Sequence, residues 1–166
     1  MLPMKRPRLL AVQPLLPFSL DLTFIDGRQL RLDLSADVQR YPGLQPLLED
    51  GAFEGAVLGD DGWSVEWPAL DIQIGADTLY LDALAQNAVD ENTRIFIGWR
   101  ARTGLPLNQA AEALGVSARS ISRYSSGREA VPRSLALACL GWDSLQRRGA
   151  SVAAEPTGRY TVTRKP

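Results

Sequence analysis

The 166-residue chain contains no histidine and one cysteine, Cys139. The first absence removes the commonest general base and the commonest metal ligand, so a Ser-His-Asp arrangement or a zinc site has little to build on. The second excludes an internal disulfide and fits a reducing compartment. Long apolar runs are missing as well, and nothing approaches the roughly 20 apolar residues of a membrane span. The start, MLPMKRPRLLAVQPLLPF, resembles a secretory signal in having bases before an apolar run. Gln13 and Pro14 break that run and no small-x-small cleavage site follows, which predicts a basic lead-in and a first strand. Together these features predict a soluble, cytoplasmic protein that is not an enzyme and needs no cofactor.

What is present is a 45% hydrophobic composition, enough for one or two cores, and charges sorted along the chain. The net charge is −1, but residues 1–12 carry three bases and no acid. Residues 13–91 set 3 arginines against 15 acids, a balance of −12, and residues 92–150 set 9 arginines against 3 acids, a balance of +6. An acidic block followed by an arginine-rich one predicts two domains with different partners. We place an acidic α+β domain at 8–88, a helical domain at 89–150 and a tail at 151–166.

In the first half, SLDLTFIDGRQLRLDL alternates apolar and polar residues on both sides of Asp26-Gly27, a hairpin pattern because both residues tolerate a tight turn. Leu20, Leu22 and Phe24 would share one face, with Leu30, Leu32 and Leu34 on the returning strand. Residues 44–57 read as a short helix and a turn, GWSVEWP and LDIQI as short strands, and 76–88 as a helix. Asp60, Asp61, Asp71, Asp77 and Asp82 match no ligand spacing such as a calcium loop, so they are read as turn, cap and surface residues. Trp63, Trp67 and Tyr80 are expected in the core. The separated pieces FIDG, EWPALDI and ADTLY, over roughly residues 8–84, resemble domain-of-unknown-function family 2442. That resemblance implies a small α+β fold. It also suggests an antitoxin-like alternative, in which the acidic domain binds a basic toxin and the protein represses its own operon.

From Asn92 the apolar period changes from two to about 3.6. A first helix is predicted over 93–102 with Ile95 and Trp99 inward, closed by Gly104, and a second from Pro106 to Gly115. Ser117 is placed to cap a third helix, which ends near Gly127. A fourth follows Pro132, with Leu135, Ala138, Cys139, Trp142 and Leu145 on its inner stripe. Cys139 on that stripe is a small core residue. Ala111, Gly115 and Ile121 supply the small contact residue, the glycine turn and the apolar anchor that two steeply crossed helices need. Arg119 and Arg123, four residues apart, would repel slightly on a helix. With Ile121 set toward the core at about 100° per residue, Arg119, Ser122, Arg123 and Ser126 share the opposite arc.

The stretch TGLPLNQAAEALGVSARSISRYSSGREAVPRSLALA, within roughly 92–148, resembles the lambda-repressor-like, Xre-type helix-turn-helix DNA-binding domains. The resemblance implies a sequence-specific transcriptional regulator reading the major groove of double-stranded DNA as a homodimer. Ala118, Arg119 and Arg123 would face bases, joined by Ser122 on the same arc. Asn108, Ser117, Ser126, Arg128 and Arg133 would reach the DNA backbone, with Arg100 and Arg102 as further cations nearby. Leu107 stands where that family usually has a phosphate-contacting glutamine, and Ser125 where glutamate is common.

Overall fold

The computed structural model describes residues 4–154, with side chains described through Gly149. The chain divides between Val89 and Asp90 into two compact units. The first is a mixed α+β unit and the second is all helix. No helix among the described residues is long and apolar enough to cross a membrane.

The first unit opens with an antiparallel meander of β1 (Leu9–Leu15), β2 (Ser19–Phe24) and β3 (Gln29–Asp33). Its register sets Leu20 opposite Leu32 and Leu22 opposite Leu30. Because successive side chains alternate faces, that register buries Leu20, Leu22, Phe24 and Leu32 together. The Asp26-Gly27 turn works as the alternation predicts: Gly27 takes φ 92°, and the buried Asp26 carboxylate accepts the Arg28 amide at 3.1 Å. A second antiparallel sheet contains β4 (Val57–Leu58), β5 (Ser64–Trp67) and β6 (Ile72–Gly75). Between β4 and β5 the chain passes so close to β1 that a Cβ on Gly62 would lie 1.9 Å from the Leu9 carbonyl oxygen.

Helix α2 (Ala76–Asn87) buries Ala76, Leu79, Tyr80, Ala83 and Leu84, the spacing of one helical face. Tyr80 meets Phe24 edge to face with centroids 4.9 Å apart, and its hydroxyl accepts from Arg28 at 2.8 Å. The last turn of α2 also covers the open edge of β3. Gln86 accepts the Asp33 N–H and donates to the Asp33 carbonyl, both at 2.8 Å, as a neighbouring strand would, and Asn87 donates to Arg31 O. A sheet edge closed this way cannot template another strand.

Three expectations change in this unit. A short helix α1 (Ser35–Arg40) follows β3, with the Asp33 side chain accepting the Ser35 amide. Residues 44–57 form no α-helix. Pro42–Leu48 and Phe53–Gly55 are 3₁₀ turns, since Pro46 has no N–H for an α ladder, and Val57 already belongs to β4. Trp67 and Tyr80 are core, but Trp63 is 43% exposed. Its indole is flanked by the guanidinium groups of Arg6 and Arg8, each 5.3 Å from the ring centroid, contacts that do not require the ring to be sealed from water.

The second unit comprises α3 (Glu91–Thr103), α4 (Leu107–Leu114), α5 (Ala118–Ser125) and α6 (Arg133–Ala154). Asp90 caps α3 by accepting the Thr93 amide at 2.8 Å, a bond that pulls its own pKa down. Phe96, Ile97, Trp99, Ala110, Ile121, Ala136 and Cys139 form the sealed core, bordered by Ala111, Leu114, Val131 and Leu135. Burial pushes the Cys139 thiol up to about 12, so it packs as an apolar group. Trp142 meets Trp99 edge to face at 5.4 Å.

The inner face of α3 differs from the predicted one. The buried arc is centred on Phe96, with Trp99 and Ile97 on its flanks, and leaves Ile95 only half-buried at its margin. Leu145 is 62% exposed rather than inward. Helices α3 and α6 run side by side, with Arg133 paired to Glu91 at one end and Arg102 to Asp143 at the other. Since α3 stops at Thr103, Leu145 lies past the end of its neighbour. Helix α6 continues to Ala154, four residues into the segment read as a tail, and the rest of that segment lies outside the described residues.

Candidate nucleic-acid interface

The tight turn before α5 is built by hydrogen bonds that the local sequence dictates. Gly115 takes φ 70° after α4, its N–H reaches Glu112 O at 3.3 Å, and the Val116 N–H reaches Ala111 O at 3.1 Å. This pairing satisfies carbonyls that a helix end leaves open, and it needs a residue at ease with positive φ. Two residues on, the Ser117 hydroxyl accepts the Ser120 amide at 3.1 Å and starts α5. Ile121 is fully buried and anchors α5 on the core. Arg119, Ser122 and Arg123 are exposed on the opposite side, and Ala118 is half-buried in the first turn.

The candidate residues divide by how far the fold has already engaged them. Asn108 is exposed in the first turn of α4. The Ser117 hydroxyl also donates to Ser120 Oγ at 3.0 Å. Ser126 Oγ donates to the Arg123 carbonyl at 2.7 Å and accepts the Arg128 amide at 3.3 Å, shaping the turn after α5. Arg128 is exposed in that turn. Arg133 lies at the start of α6, where it donates to Asn92 Oδ1 at 3.0 Å and sits 3.7 Å from a Glu91 carboxylate oxygen.

Arg100 and Arg102 have structural engagements. Arg102 makes a two-pronged pair with Asp143, at 3.1 and 2.8 Å. Arg100 is half-buried, donates to Leu105 O at 2.7 Å and to Ser125 Oγ at 3.2 Å, and has its pKa lowered by burial. It thereby ties α3 both to the segment entering α4 and to the last turn of α5. The serine at 125, where a glutamate is common in the resembling domains, is this arginine's partner.

Helical periodicity does not mark Tyr124 and Glu129 as interface residues. Arg123 donates to the Tyr124 hydroxyl at 2.9 Å, its guanidinium lies 4.8 Å from that ring centroid, and its Nε is 3.2 Å from Glu129 Oε2. The Tyr124 hydroxyl leads the causes that raise the Arg123 pKa, followed by the charges of Tyr124 and Glu129. Glu129 comes six residues after Arg123, beyond a helical i,i+4 reach, and Gly127 at φ 73° turns the chain to bring it back. Among the described residues no cluster of three or more Asp, Glu or Cys side chains converges as a metal would require.

Residues 9–84 match the model of a protein family of unknown function, DUF2442, and residues 98–140 match a helix-turn-helix domain. The crystal structure named "putative DNA binding protein NE0471", from Nitrosomonas europaea, is similar with a TM-score of 0.57 and 36% identity. The similarity spans 84% of this chain and 88% of that one. No curated protein matches the chain. The chain belongs to the DUF2442 family through its first unit and to the helix-turn-helix domains through its second.

Proposed function

We propose that the protein is a non-enzymatic, cytoplasmic transcriptional regulator of the Xre type that binds double-stranded DNA sequence-specifically, with α5 in the major groove. The observation that carries this reading is the exposed arc of Arg119, Ser122 and Arg123 on a capped helix, held opposite Ile121 behind a tight turn. Arginine pairs bidentately with guanine O6 and N7, and a good pair discriminates by about 1–3 kcal/mol. That gain exceeds the few tenths of a kcal/mol by which two arginines at i,i+4 repel. Ala118 and the short Ser122 let the helix approach base edges. Asn108, Ser117, Ser126, Arg128 and Arg133 would supply backbone contacts that set register.

One helix reads few base pairs, so the working unit is a homodimer on half-sites one helical turn apart, about 34 Å. Selection from random duplexes at near-physiological salt tests the reading. The wild type should enrich a two-fold-symmetric motif, and Arg119→Ala with Arg123→Ala should lose it. A wild type that enriches nothing, or a double variant that enriches the same motif equally well, would refute base reading by these arginines.

A further inference from the structure

The two arginines of the α5 face are not equivalent. Arg119 is exposed and has no hydrogen-bond or ion-pair partner among the described residues. Arg123 is held on several sides, by an ion pair between Nε and Glu129, by the Tyr124 hydroxyl on Nη2 and by the Tyr124 ring, whose centroid is 4.8 Å from its Cζ. The turn carrying Glu129 is tied to the same residue, because Ser126 Oγ links the Arg123 carbonyl to the Arg128 amide.

The geometry of the guanidinium gives this clamp a direction. Nε and Nη2 lie along one edge of the planar group, and both contact the protein. Nη1 has no partner among the described residues, and with the second N–H of Nη2 it can offer two donors to a planar two-acceptor partner such as the O6/N7 edge of guanine. The clamp also changes the arginine's electrostatics. With a carboxylate 3.2 Å away, Arg123 adds little net positive charge to the surface facing DNA. Attraction to phosphate depends on net charge and ignores sequence, whereas a bidentate base contact depends on orientation.

We propose that Glu129, acting with Tyr124, is a specificity-determining positioning residue: it orients Arg123 for base reading and cancels that arginine's contribution to non-specific phosphate binding. The inference rests on the DNA-reading function proposed above. It assigns discrimination to Arg123 and leaves Arg119 as the cation that also attracts the duplex. Both acidic and aromatic partners are exposed or half-buried on the α5 side of the unit, so replacing them leaves the core intact.

The test measures binding of the full chain to its selected site and to a random duplex across a salt series. Glu129→Gln should strengthen binding to the random duplex about threefold and steepen the salt dependence by up to one phosphate contact, a slope change of about 0.9. Preference for the selected site should fall about fivefold, the upper range for an exposed ion pair. Tyr124→Phe keeps the ring and removes the hydroxyl, and should lower preference less, in the same direction. In an Arg123→Ala background, Glu129→Gln should leave the preference unchanged, because the group it orients is gone. The proposal is overturned if Arg123→Ala abolishes the preference while Glu129→Gln keeps both preference and salt slope. It is also overturned if Glu129→Gln shifts preference equally with and without Arg123. If Arg123→Ala keeps the motif unaltered, base reading by Arg123 fails, and the role of Glu129 fails with it.

Discussion

Replacing Arg100 by methionine keeps an unbranched apolar stem and removes the guanidinium with the two hydrogen bonds that tie α3 to Leu105 and Ser125. Hydrogen bonds from a charged group contribute about 1.5–3 kcal/mol each when well formed. The 2.7 Å bond to the Leu105 carbonyl should carry most of this, and the 3.2 Å bond to Ser125 less. Two effects reduce the total: the site is only half-buried, and removing the guanidinium also removes the burial cost that lowers its pKa. The expected net loss is about 1–2 kcal/mol from the second unit. For a unit of this size that lowers its melting temperature by about 5–15 °C. Arg102→Met is the control, since its pair with Asp143 is largely exposed on the arginine side and worth at most about 1 kcal/mol. Hydrogen exchange resolved to α4 and α5, read alongside calorimetry, separates this unit's response from that of the first. The Ile121 amide, which bonds Ser117 O at the start of α5, should exchange faster in Arg100→Met than in Arg102→Met. If the two variants lose stability equally, or α5 protection is unchanged, Arg100 is not the tie described above.

Two further outcomes concern the first unit. Asp82 has its pKa raised from 3.8 to about 6, mostly by burial and secondarily by the negative charge of Asp37. A folded-state pKa above the unfolded one favours folding below about pH 4, and that contribution is lost as pH rises through 6. Asp82→Asn should therefore match the wild type near pH 4 and exceed it by about 1 kcal/mol at pH 7.5, after allowing for partial solvent exposure. Urea midpoints at the two pH values check this, and equal midpoints at pH 7.5 would contradict it. Gly62→Ala should cost more than about 3 kcal/mol or prevent the first unit from folding, since φ is 78° and the new Cβ would collide with the Leu9 carbonyl. Circular dichroism and expression of the variant would show it, and a near-normal melting curve would refute the close approach.

Much of the second unit could be read from local rules. The Gly104 and Gly115 stops, the Ser117 cap and the inward Ile121 each depend on a residue and its near neighbours along the chain. The same holds for the hairpin about Asp26-Gly27, where alternation and turn chemistry agree. Ile95, Leu145 and Trp63 went otherwise because an apolar residue is buried only where something packs on it. Ile95 is at the edge of an arc set by Phe96, Leu145 lies beyond the end of α3, and Trp63 is met by two arginines. The closing of β3 by Gln86 and Asn87 had no signature either, because it joins residues more than 50 positions apart.

On the α5 face, helical period and one buried anchor, both local properties, already fix which side chains point away from the core. What those side chains meet depends on how the rest of the chain folds around them. Arg119 and Arg123 look alike in the sequence, but the left-handed turn at Gly127 returns Glu129 to one of them and not to the other. Arg100, one more cation in a basic stretch, becomes a half-buried tie because the folded chain brings Leu105 and Ser125 within reach of a single guanidinium. Charge and spacing are written along the chain, whereas pairing depends on distances that exist only after the chain has turned back on itself.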